Sequence, residues 1–80
     1  MAKGCQDERY KGLIALLAER RRSLGYSQSS LAARLGTHQQ FVSRYETGER
    51  RLDVVEFHDI AQMLGFDIPT MFEGLTRSPR

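Results

Sequence analysis

A single cysteine, Cys5, among 80 residues leaves no partner for an intramolecular disulfide, and neither a zinc site nor a redox pair can be built around it. The longest apolar run, residues 13–18, is far too short to cross a bilayer. No charged segment followed by an apolar stretch and a small-residue cleavage site precedes it. These absences point to a cytoplasmic protein in a reducing compartment with no membrane contact. There is no Gly-rich phosphate loop, and the two histidines, His38 and His58, have no Cys or His neighbour at metal-ligand spacing. No metal, no cofactor and no small-molecule ligand are expected. His58-Asp59 stands near several serines, but adjacent residues on a helix point in different directions and cannot form a nucleophile–base–orienter chain, so no enzymatic activity is expected. No segment alternates with period two, and there is no internal repeat or low-complexity tract, so no strands are expected.

What is present is charge, unevenly placed. Residues 1–52 hold ten Lys and Arg against five Asp and Glu, whereas residues 53–75 hold five acids and no Lys or Arg. The overall balance of +2 is weak evidence for any partner, yet its distribution lets one half of the molecule face a polyanion while the other does not. A chain of this length makes one small domain with a modest core, for which self-association is a natural supplement.

Three Leu-Gly pairs, at 24–25, 35–36 and 64–65, read as helix stops, because glycine past the last apolar position can take the left-handed cap conformation. Tyr10, Leu13, Ile14, Leu17, Arg21 and Leu24 recur at spacings of three and four, predicting a first helix over about 9–24. Ser27 caps a short second helix whose inner positions are Leu31, Ala32 and Leu35. Thr37 with Gln40 reads as a capping box for a third, with Val42 and Tyr45 inward. Asp53 with Glu56 forms another box, with Leu52 and Phe57 as its hydrophobic staple. The fourth helix then buries Val54, Phe57, Ile60 or Ala61, and Leu64. Asp67 caps a last helix with Pro69 in its first turn, carrying Ile68, Met71 and Phe72. Five helices span residues 9–75, between flexible tails at 1–8 and 76–80.

Helices two and three are joined by a three- or four-residue connection around Gly36, the spacing of a helix-turn-helix, with Ala32 small enough for a close crossing. The segment YSQSSLAARLGTHQQFVSRYETGER, followed by DVVEFHDIAQMLG and FDIPTMF, resembles the phage repressor and Cro-like helix-turn-helix family of the xenobiotic-response-element type. The resemblance covers roughly residues 10–73. It implies an all-α, compact five-helix, lambda-repressor-like domain that lays its third helix (about 38–46) in the major groove of double-stranded DNA. It further implies a transcriptional repressor acting as a homodimer on a palindromic operator. The same fold can also serve as a protein-interaction module without base reading.

Within that resemblance Gln39, Gln40 and Arg44 match base-reading positions, and Gln28 matches a glutamine that grips phosphate at a helix N-terminus. Arg21 and Glu46 match a structural ion pair. The chemistry agrees: a glutamine amide matches adenine N6 and N7, and an arginine fork matches guanine O6 and N7. Arg50 and Arg51, with Ser43, Thr47 and His38, fit phosphate contacts, which position without reading sequence. The bland readings stand beside these. Gln40 could fold back as the capping-box residue, Arg44 could pair with a surface acid, and His38 could be a merely exposed polar residue. Phe41 either touches a thymine methyl or tucks against Tyr45, and the second is preferred. Arg20 and Arg22 are accounted for by the negative end of the first helix. Phe66, Ile68, Met71, Phe72 and Leu75 are the candidates for a dimer seam.

Overall fold

Helices of eight to sixteen residues are marginal alone and gain stability by burying their apolar stripes against one another. Five do so in chain order: α1 (Glu8–Ser23), α2 (Gln28–Leu35), α3 (Gln39–Thr47), α4 (Val54–Met63) and α5 (Ile68–Thr76). The computed structural model describes the backbone of residues 7–76 and the side chains of residues 7–73, and among these there is no strand. Most of the two expected tails, together with Cys5 and the side chain of Leu75, lies outside the described residues. Asp7 and Glu8, expected in the first tail, are instead the cap and first residue of α1, and Thr76 is the last of α5.

Each Leu-Gly pair ends its helix in the same way. After α2, the Gly36 N–H bonds to Ala33 O at 3.2 Å and the Thr37 N–H to Ala32 O at 2.9 Å. This is the paired closure of a Schellman turn, repeated at Gly25–Tyr26 and Gly65–Phe66. Gly36 has φ of 74°, a conformation that costs an L-residue roughly 1–2 kcal/mol. The starts are equally local. Ser27 accepts from the Ser30 N–H at 3.0 Å, and the Asp53/Glu56 box closes in both directions at 2.7 and 3.0 Å. Asp7, a cap not foreseen from the sequence, accepts from the Arg9 N–H at 2.8 Å. Before α5, the Asp67 carboxylate receives the Thr70 hydroxyl and its carbonyl the Met71 N–H.

The core sits where these helices meet. Leu17, Leu31, Val42, Tyr45, Ile60 and Leu64 are at most 1% exposed, and each such side chain stabilises the fold by about 1.5–3 kcal/mol. Ala32, 2% exposed, is the small residue on α2 that lets α3 approach. Leu52 and Phe57, the expected staple, are both buried in this cluster. Two expected core positions are not. Leu24 is 50% exposed because the cap turn carries it outward, and Val54 is 72% exposed because Leu52 already fills the core beside the first turn of α4. The Tyr10 hydroxyl accepts the Leu52 N–H at 3.0 Å, tying the α3–α4 loop to α1.

Arg20 does more than complement the α1 dipole. Its Nη1 donates to Leu64 O at 3.0 Å, and its guanidinium lies 4.2 Å from the Phe66 ring centroid, so it fastens the end of α4 to α1. Nothing at a separation of 44 residues signals this contact in sequence.

Candidate nucleic-acid interface

With Val42 and Tyr45 fully buried, α3 has one face committed to the core, and geometry sends Gln39, Gln40 and Arg44 to the other. All three are exposed. Gln40 and Arg44 are four apart, one turn along the same face, with Gln39 a step around it.

The expected Thr37–Gln40 capping box does not form. Thr37 spends its N–H closing α2, the N-cap of α3 falls on His38, and Gln40 becomes the second helical residue, one short of the position a box requires. His38 makes no side-chain cap bond. The Gln40 amide accordingly has no hydrogen bond among the described residues, whereas Gln39 Oε1 accepts a long 3.4 Å bond from the Ser29 hydroxyl. That contact leaves the Gln39 NH₂ without a partner among the described residues.

Arg44 does find a surface acid: its Nε stands 3.7 Å from Glu49 Oε1, with both side chains more than 60% exposed. At that separation and exposure the pair is worth little and yields readily to a competing partner.

Behind this face lies a buried ion pair. Arg21 Nε and Nη2 donate to the two oxygens of Glu46 at 2.7 and 3.1 Å, with the side chains 9% and 8% exposed. Arg21 Nη1 donates to Tyr26 O at 2.8 Å, and Gln28 Nε2 donates to Glu46 Oε1 at 3.0 Å. The cluster therefore joins α1, the start of α2 and α3. Gln28 is partly drawn into it, but its amide nitrogen keeps a second N–H.

The remaining basic and hydroxylic candidates differ in their freedom. Arg51 is exposed, its guanidinium 5.6 Å from the Tyr10 ring centroid and with no carboxylate partner among the described residues. Thr47 donates its hydroxyl to Arg44 O at 3.2 Å, and Ser43 is half-buried. Arg50 forms a forked pair with Glu56, 2.9 Å on each arm, over the face of Phe41. The fork holds the Glu56 carboxyl below the ordinary carboxylate range, assisted by the Asp53 N–H. Phe41 packs edge-on to Tyr45, with ring centroids 5.5 Å apart, so its ring is part of the scaffold.

The dimer candidates also separate. Met71 is 9% exposed and packs in the core of its own chain. Phe66 and Ile68 are half-buried and Phe72 is 40% exposed. Val54 and Val55, missed by the sequence reading, are exposed beside Phe72 along an apolar groove of about 410 Å³. No cluster of metal-ligating side chains occurs among the described residues, and no helix among them is long and apolar enough to cross a membrane.

Comparison with known proteins agrees with this geometry. The HTH_3 helix-turn-helix family model matches residues 17–70. A curated relative, the "Uncharacterized transcriptional regulator in ATPase CF(0) region" of Rhodospirillum rubrum, is 36% identical over 59 residues, covering 74% of this chain. The chain spans 55% of that relative's length. A solved structure, an "XRE-family like protein from Pseudomonas syringae pv. tomato str. DC3000", is similar at 45% identity with a TM-score of 0.80, over 90% of this chain and 89% of the other.

Proposed function

The chain belongs to the XRE-type helix-turn-helix family of DNA-binding regulators, which are not enzymes, and from that premise we propose that it is a sequence-specific transcriptional repressor in the cytoplasm. In this reading it acts as a homodimer on a palindromic operator, with α3 in the major groove of double-stranded DNA. The supporting observation is the outward face of α3. Two amides and a guanidinium stand exposed on a helix whose opposite face is fully buried, and the Gln40 amide has no hydrogen bond among the described residues.

Gln39, Gln40 and Arg44 then read base edges, each good bidentate contact discriminating by roughly 1–3 kcal/mol. Arg44 exchanges the weak Glu49 contact for a base. Gln28 through its second N–H, His38, Ser43, Thr47 and Arg51 hold phosphates and set register. The apolar groove beside Phe72, with Val54, Val55 and Ile68, supplies the seam between two copies. A dimer of this kind places its two α3 helices about 34 Å apart, one turn of B-DNA.

Selection from a random duplex pool with purified protein tests the reading. A palindrome with half-sites about one turn apart is expected. A pool from which no duplex is retained would instead favour an interaction module of the same fold. Gln39→Ala should blur preference at one position per half-site. Arg51→Ala should weaken binding to all sequences and reduce the salt slope by about 0.9 for each phosphate lost.

A further inference from the structure

We infer that Arg50 is a positioning residue: held between Glu56 and Phe41, it sets α3 against the start of α4 and takes no DNA phosphate. The inference rests on the DNA-binding reading and concerns how that surface is held. Arg50 and Arg51 look interchangeable in sequence, but the fold gives them opposite surroundings. Arg51 stands exposed with no carboxylate partner among the described residues, whereas the Arg50 guanidinium is engaged on three sides. Nη1 and Nη2 donate to the two Glu56 oxygens at 2.9 Å each, Nη1 donates again to Arg51 O at 3.3 Å, and the plane lies 4.8 Å from the Phe41 centroid.

The attachments lead to two elements, α4 through Glu56 and α3 through Phe41 and Arg44. Glu56 Oε1 also accepts the Asp53 N–H at 3.0 Å, so the fork is anchored in the cap of α4. Phe41 lies on α3 directly after Gln40, and its ring abuts buried Tyr45. The Arg50 backbone N–H donates to Arg44 O at 3.1 Å. The clamp thus grips α3 at the residue following one base reader and at the carbonyl of another. Planar stacking and a two-armed fork are both properties of guanidinium that lysine lacks. With its charge matched by Glu56, Arg50 attracts no further anion strongly, and a phosphate brought to its remaining N–H groups would meet that carboxylate.

The consequence separates specific from general binding. Loosening the clamp lets Gln40 and Arg44 wander relative to the groove, which weakens base contacts, while the phosphate contacts of Arg51 and its companions are untouched. Arg50→Gln, Arg50→Lys, Glu56→Gln and the double variant Arg50→Gln/Glu56→Gln are measured against the selected operator and a random duplex across a salt series, with Arg51→Ala as reference. Glu56→Gln retains a capping-box side chain and so keeps the α4 start. Melting temperatures identify the folded variants.

The expected result is a loss of about tenfold on the operator for each single variant, within the range for one weakened base contact, and a change of less than about twofold on random DNA. The double variant should be no worse than either single, because both break the same clamp. The salt slope should match that of the unaltered protein, while Arg51→Ala alone reduces it. A reduced slope in Arg50→Gln, or tighter binding of any duplex by Glu56→Gln, would show Arg50 held in reserve for phosphate and overturn the inference. An unaltered protein that selects no sequence removes the DNA-reading function itself, a different failure recognisable before any variant is compared.

Discussion

Replacing Glu46 by alanine removes one half of the buried pair that joins α1 to α3, and the structure sets the size of the effect. The carboxylate accepts two bonds from Arg21 and one from Gln28, all at 2.7–3.1 Å and with the ion pair less than a tenth exposed. Its loss leaves the Arg21 charge buried with Tyr26 O as its one remaining partner among the described residues, a situation that costs about 3–5 kcal/mol. An 80-residue domain is worth roughly 4–12 kcal/mol in all, so the variant should sit near the edge of folding. At about 4–8 °C per kcal/mol for a domain of this size, the melting temperature should fall by roughly 12–40 °C. Thermal unfolding followed by far-ultraviolet circular dichroism measures this directly. The matched double variant Arg21→Met/Glu46→Leu should recover most of the loss, since the apolar pair leaves no charge stranded. A drop of less than about 4 °C for Glu46→Ala, equivalent to about 1 kcal/mol, would refute the argument that the pair is desolvated and essential. So would a double variant less stable than the single.

Other perturbations test separate parts of the account. Asp7 is lowered to about 2 by the Arg9 side-chain and backbone bonds, and Glu56 is lowered chiefly by Arg50. Both carboxyls therefore have folded values below the unfolded values near 4. Their contribution is present above that range and fades as pH falls through the folded values, so Glu56→Gln should flatten the acid limb of a stability–pH curve. Tyr45→Phe should change stability by less than about 1 kcal/mol, because the buried hydroxyl has no partner among the described residues to lose. A larger loss in denaturant melts would reveal a bond to that oxygen. Gly36→Ala should cost about 1–2 kcal/mol from backbone torsion alone, since a Cβ there meets nothing within 4 Å, and Gly36→Asn should cost less. Equal costs for the two substitutions would count against the left-handed cap as the cause.

The features legible in the sequence are those that a few neighbouring residues settle among themselves. Ser27, the Asp53/Glu56 box and the three Leu-Gly stops mark helix ends through bonds spanning at most five residues. The spacing of Leu17, Leu31, Val42, Tyr45 and Ile60 identifies the inner faces because helical periodicity is itself local. Thr37 misleads for the same reason read in reverse. It has the residue type and spacing of a cap, but its N–H has already been claimed by Ala32 on the helix before.

By itself, then, the sequence determined how many helices there are, where most of them begin and end, and that Gln39, Gln40 and Arg44 share one side of α3. Tertiary structure decided which charges are free. It sank Arg21 and Glu46 together across 25 residues, forked Arg50 onto Glu56 while leaving adjacent Arg51 exposed with no carboxylate partner among the described residues, and turned Val54 outward and Met71 inward. The physical reason is range. Backbone hydrogen bonds and side-chain periodicity act within a turn of helix, whereas burial and ion pairing depend on which surfaces meet, and that is known only once the helices have packed.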